Sequence, residues 1–207
     1  MRSLEVKNFY NKNIDKYANG FSASFVFEEG LDQFASFIPS GALILDVGSG
    51  LGQDTEYLAK KGYITLGIDI SKEMIKYSLD NRTKGIFINT DFFKVGDIFK
   101  DDCFGGLWVS SSILTHIGKR DIGKFFKGVK KLLLPEGILG MVVSQDKFKR
   151  KSKIPFNNFS KKEITSLITE NGFELIEFKN LRLEESNWFF ILAKNSTNNA
   201  GNTAQSV

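Results

Sequence analysis

Leu43-Ile-Leu-Asp-Val-Gly-Ser-Gly-Leu-Gly-Gln-Asp54 is the stretch around which this 207-residue chain is organised. Four apolar residues, Leu43, Ile44, Leu45 and Val47, run into three glycines at alternate positions, Gly48, Gly50 and Gly52. A helical pattern follows, Thr55 to Lys61. This order predicts a buried parallel strand, a tight turn and a helix N-terminus. Glycines in such a turn let backbone approach a ligand closely, and the first helical turn presents unpaired N–H donors to a negative group. Dinucleotide sites are read from G-x-G-x-x-G. Here the third glycine comes one residue early, as G-x-G-x-G.

Outward from that turn, strands and helices alternate. Glu28 to Ile38 has Leu31, Phe34, Ala35 and Ile38 at helical spacing and is stopped by Pro39-Ser-Gly41. Tyr63 to Ile68, ending in Asp69, predicts a second buried strand, with Ser71 as N-cap of a helix over Lys72 to Leu79. Ile86-Phe-Ile88 and Phe104 to Val109 predict a third and a fourth strand. Lys119 to Leu134 predicts a basic amphipathic helix closed by Pro135-Glu-Gly137, and Ile138 to Val143 a fifth strand. Continuous apolar strands separated by helices argue for a parallel sheet covered on both faces.

The last third breaks the alternation. Ser160-Lys-Lys-Glu163 is a capping box opening a helix through Glu170, with Gly172 as its stop. Phe173 to Phe178 and Trp188 to Ala193 then follow with no helix between them, so they pair antiparallel. The second is apolar throughout and belongs in the sheet interior.

Composition bounds the rest. Hydrophobic content of 42% and charged content of 25% are those of an ordinary globular domain, and the net charge of +4 does not by itself imply a nucleic-acid partner. One Cys, Cys103, and one His, His116, exclude an internal disulfide and disfavour a Cys/His metal cluster. Without a long apolar run or a signal-peptide core, a cytoplasmic protein without membrane association is expected. One domain is expected over residues 1–194, with 1–40 as an N-terminal helical cap, then a disordered polar tail over 195–207.

With Asp46 ahead of it, the D-x-G-x-G-x-G segment resembles motif I of the class I S-adenosylmethionine (SAM) methyltransferases. The closing antiparallel hairpin, which Rossmann dehydrogenases lack, fits the same family. The resemblance implies a doubly wound, mostly parallel seven-stranded α/β sheet, order 3-2-1-4-5-7-6 with the last strand antiparallel. It also implies transfer of the SAM methyl group to a small-molecule acceptor, leaving S-adenosylhomocysteine (SAH). Site residues carry over by motif. Asp69, 21 residues after Gly48 in Gly67-Ile-Asp-Ile-Ser71, accepts the ribose diol, or simply caps a helix. Gly48, Ser49 and Gly50 face the amino-acid head, with Asp46 orienting the turn. Asp91 and Phe92, in Thr90-Asp-Phe-Phe93, take adenine, with Ile70 on its other face. Tyr10, Asp15 and Tyr17 resemble a segment that folds over the cofactor.

Phe104 to Ile117 resembles the fourth strand and following loop of a small-molecule subgroup that includes tellurite-resistance-type proteins, with Gly105 where the subgroup has Asp. Ser110 then lies at the methyl donor. His116 is a candidate general base; the commoner use of a lone His is structural, holding a loop. A nucleic-acid methyltransferase is the competing reading, from a sequence pI of about 9.0 and Lys147-Phe-Lys-Arg-Lys-Ser-Lys153. Amino-methylating nucleic-acid enzymes carry [D/N]-P-P-[Y/F] after the fourth strand, where this chain has Ser110-Ser-Ser-Ile113, so nucleic acid is disfavoured as a partner. A protein methyltransferase and a catalytically silent SAM-binding protein stay open, as does the choice between monomer and homodimer.

Overall fold

The computed structural model describes residues 2–20, 26–145, 154, 156–183 and 186–196. The expected polar tail beyond Ser196 and the basic stretch Lys147 to Lys153 lie outside them. Helices α1 (Arg2–Lys12), α2 (Ile14–Ala18) and α3 (Glu28–Ser36) precede the sheet. Then come β1 (Leu43–Val47), α4 (Gln53–Lys60), β2 (Ile64–Asp69), α5 (Lys72–Asn81), β3 (Ile86–Asn89), β4 (Phe104–Ser110), α6 (Ile113–His116), α7 (Ile122–Leu132), β5 (Leu133–Ser144), α8 (Lys161–Glu170), β6 (Phe173–Leu183) and β7 (Ser186–Asn195). The seven strands form one sheet in the order β3-β2-β1-β4-β5-β7-β6. β7 lies between β5 and β6 and runs antiparallel to both, while the pairs among β1 to β5 are parallel. That is the expected topology.

Alternate residues of the central strands divide between two cores, as the two-residue period of a strand requires. Leu45, Val47, Leu107, Val109, Leu139 and Met141 pack with α7 and α8 through Phe125, Phe126, Ile164 and Ile168. Ile44, Trp108 and Val142 pack on the other face with α3 and α4 through Leu31, Phe34 and Leu58. Gly106 in β4 is there for close approach. A Cβ on it would meet Ile38 at 2.3 Å and the Phe34 ring at 2.7 Å, so the helix layer sits directly on the strand.

Caps read from the sequence recur in the structure. The Ser71 hydroxyl accepts from the Met74 amide, and Ser160 and Glu163 form the reciprocal capping box at α8. The expected helix over Lys119 to Leu134 is divided. Lys119–Asp121 is a 3-10 turn, α7 stops at Leu132, and Leu133 opens β5. The β4–β5 register then shifts between Phe104/Leu133 and Gly106/Ile138. The cause lies in Pro135, which has no N–H for the ladder, and in Glu136, whose φ of +64° breaks an extended strand. The last strand also extends one residue past 194. Asn195 is buried, and its side-chain amide reaches the carbonyls of Lys130, Leu133 and Leu134, where α7 hands over to β5. Among the described residues no helix is long and apolar enough to cross a membrane.

Candidate cofactor and acceptor site

The C-terminal ends of β1, β2 and β4 open into a cavity of about 760 Å³, roofed by α1 and α2. At its floor is the glycine turn. Gly48 and Gly50 have φ of +73° and +54°, values that L side chains resist. A Cβ on Gly48 would also meet the Ser112 side chain at 2.5 Å, whereas one on Gly50 would meet nothing within 4 Å. Gly48 is therefore shaped by protein packed against it, and Gly50 by the backbone conformation beside open space. The Gly48 and Ser49 amides donate to the Ile68 carbonyl at 2.8 and 2.9 Å, which fixes the turn to the end of β2.

Asp69 joins the two loops. One carboxylate oxygen accepts from the Gly50 amide at 3.0 Å and the other from the Ser71 amide at 2.7 Å. Each oxygen keeps lone-pair capacity for a ligand hydroxyl. Burial pushes the Asp69 pKa up to about 6 against these two bonds. Asp54, in the first turn of α4, accepts from the buried Trp108 indole N–H at 2.7 Å, and burial raises it to about 6 as well. Asp46 accepts from the Thr55 hydroxyl at 2.6 Å. Burial and then the neighbouring Asp54 hold its pKa well above the usual carboxylate range. Asp46, Asp54, Asp69 and Asp91 all border the cavity, with Lys16 the sole Lys or Arg among the described residues lining it. Carboxylates crowded this way favour a cationic ligand and oppose a pyrophosphate.

The opposite rim comes from the segment after β4. Ser111 has a φ of +46°, rare outside glycine and typical of strained functional turns. The Ser112 hydroxyl donates to the Val47 carbonyl at 2.6 Å, tying this rim to β1. His116 ends the single turn of α6 and is 7% exposed. Asn157 clamps that turn, its side chain donating to the Leu114 and Ile117 carbonyls and its amide to Thr115. Phe156 meets the imidazole edge to face. The Tyr10 hydroxyl on α1 lies 2.8 Å from His116 Nε2.

With the exception of Asp15, the structure brings the residues singled out by the sequence to this one cavity: Tyr10, Tyr17, Asp46, Gly48, Ser49, Gly50, Asp69, Ile70, Asp91, Phe92, Ser110 and His116 all border it. Two sit differently from the expectation. Asp91 caps the following 3-10 turn through the Phe93 amide. Phe92 is largely core, against Phe125, while its neighbour Phe93 is 41% exposed at the rim. Asp15, the acid of the N-terminal segment, is exposed away from the lining. The Asp54–Trp108 bond and Asn11 escaped the sequence reading. A buried indole N–H needs an acceptor, which was a signal for the first; nothing in local pattern marks the second.

Known proteins that resemble this chain include several methyltransferases. A family model described as a methyltransferase domain matches residues 45–141. A putative methyltransferase of Bacillus subtilis is 30% identical over 52% of the chain and 46% of its own length. Phosphoethanolamine N-methyltransferase 1 of Arabidopsis thaliana is 27% identical over 95% of the chain and 40% of its own length. The chain thus spans less than half of these relatives. Magnesium protoporphyrin IX methyltransferase from Synechocystis, solved with bound SAH, superposes with a TM-score of 0.72 over 95% of this chain and 100% of that one. At 16% identity that likeness is one of fold.

Proposed function

We propose that this chain, which carries a methyltransferase domain on the class I fold, is a cytoplasmic SAM-dependent methyltransferase acting on a small-molecule acceptor. The observation that carries the reading is the group of carboxylates, Asp46, Asp54 and Asp69, gathered on one cavity around a positive-φ G-x-G-x-G turn. Such a cluster fits a ligand bearing an ammonium and a sulfonium, and it repels the phosphates of a dinucleotide.

In this reading Asp69 accepts the ribose hydroxyls, Gly48, Ser49 and Gly50 pass along the amino-acid head, and Asp46 and Asp54 hold the cationic end. Ile70, Asp91 and Phe92 form the adenine slot, and Ser110 and Tyr17 border the methyl donor. SAM, when bound, supplies a methyl group activated for in-line displacement, so the protein needs no nucleophile of its own. Its residues contribute proximity and orientation. Where the acceptor must lose a proton, Tyr10 and His116 are placed to take it. The Tyr10 oxygen receives the acceptor proton as its own proton passes to His116 Nε2. Asn157 and Phe156 keep the imidazole in line for that transfer.

Titration calorimetry with SAM, SAH and NAD tests the cofactor: SAM and SAH are expected to bind, and binding of NAD without SAM would overturn the reading. A small-molecule acceptor screen read by SAH release then identifies the substrate. If that acceptor must lose a proton, His116→Asn is expected to keep SAH binding while turnover drops about a hundredfold or more. Unchanged turnover would remove His116 from the chemistry.

A further inference from the structure

We infer that Asn11 is a positioning residue of this site: it latches α1 onto the N-cap of α5 and so seats Tyr10 on His116 over the bound cofactor. The inference rests on the SAM reading for the identity of what is covered. The latch itself is drawn from geometry. Asn11 Oδ1 accepts from the Ser71 hydroxyl at 2.7 Å and from the Glu73 amide at 3.4 Å. The Ser71 hydroxyl also accepts from the Met74 amide, and the Ser71 amide donates to Asp69. A chain of hydrogen bonds therefore runs from α1 through the α5 cap to the carboxylate that also holds Gly50. Tyr10, the preceding residue, reaches the opposite rim at His116. Adjacent residues of one helix thus fasten to both sides of the cavity.

These fastenings matter because the segment is at most partly buried. No side chain from Ser3 to Gly20 is fully buried. Its contacts with the domain include the edge of the Tyr10 ring against His116 and the hydrogen bonds, while Tyr17 packs on Tyr10 within the segment. A helix without a buried apolar stripe gains little from the hydrophobic effect, and segments of that kind open locally at low free energy. Loss of one well-placed hydrogen bond is then felt as opening of α1, with the core unaffected.

The test uses the full chain, Asn11→Ala and Asn11→Asp, with SAH as probe. Asp keeps an acceptor oxygen at the α5 N-terminus. Hydrogen exchange over residues 2–18 is expected to speed up in Asn11→Ala, and the SAH dissociation constant to rise about five- to tenfold. The melting temperature of the unliganded protein should hold within about two degrees, and Asn11→Asp should restore both readouts to within about twofold. Wild-type exchange and affinity in Asn11→Ala would overturn the latch. So would a fall in melting temperature with faster exchange confined to α5, which is the signature of a cap and nothing more. Should the wild type bind no SAH, the cofactor reading fails by itself. Exchange over residues 2–18 in unliganded Asn11→Ala then still decides the latch, faster supporting it and unchanged refuting it.

Discussion

Replacing Asp54 by Asn tests the electrostatics of the site in a single variant. Unfolded, Asp54 keeps its proton only below its ordinary 3.8; folded, burial lets it keep the proton up to about 6. Between those values the folded protein binds more protons than the unfolded chain, so stability falls as pH rises through that window. The full penalty is present above pH 6. A displacement of roughly two pH units at about 1.4 kcal/mol each amounts to about 3 kcal/mol against folding at neutral pH. Asn carries no charge, and its carbonyl can still accept from the Trp108 indole at the same place. It also removes a charge that pushes up the pKa of Asp46. Asp54→Asn is therefore expected to stabilise the unliganded protein at pH 7.5 by up to about 3 kcal/mol, raising its melting temperature by roughly 6–12 °C. It should bind SAM more weakly, by about tenfold or more, because a charge facing the cation is gone. Urea unfolding followed by circular dichroism at pH 7.5 and pH 4.5, with calorimetry for SAM, measures both effects. The stability gap must narrow toward pH 4. A variant less stable than wild type at pH 7.5, or a gap independent of pH, would refute the argument.

Asp69→Ala should raise the SAH dissociation constant at least about a hundredfold while circular dichroism stays native, since in the proposed reading two charge-assisted hydroxyl contacts disappear; an unchanged constant would remove Asp69 from the ribose. Gly50→Ala should cost about 1–2 kcal/mol, from its φ of +54° alone. Gly48→Ala, which adds a 2.5 Å collision with Ser112, should cost distinctly more; equal losses in urea unfolding would contradict the packing described. Asn195→Ala leaves carbonyls at the α7–β5 junction without their donor and is expected to lower stability by about 1–3 kcal/mol, read as a lower urea midpoint at unchanged slope.

What was legible in the sequence, and what was not, follows from where each constraint acts. The G-x-G-x-G turn, the run ending in Asp69 and the Ser160–Glu163 capping box are local: strand, turn and cap are contiguous in the chain, so their residue types report them directly. The antiparallel pairing of the last two strands followed from connection length, because a loop without a helix after Phe178 permits only an antiparallel neighbour, whereas the full sheet order came from the family resemblance. The boundary between α7 and β5 was misplaced, since Leu133 and Leu134 continue the apolar period of the helix and only the strand pairing with Phe104 withdraws them from it. The rim contacts are the deeper omission. Asn11 to Ser71 spans 60 residues and Tyr10 to His116 spans 106, and a polar residue on a helix without a fully buried side chain looks like solvent-facing surface until its partner is known. In the proposed reading the glycine turn marks the cofactor through local chemistry, whereas α1 and α6 meet only in three dimensions, and the acceptor is to be sought at the Tyr10–His116 rim.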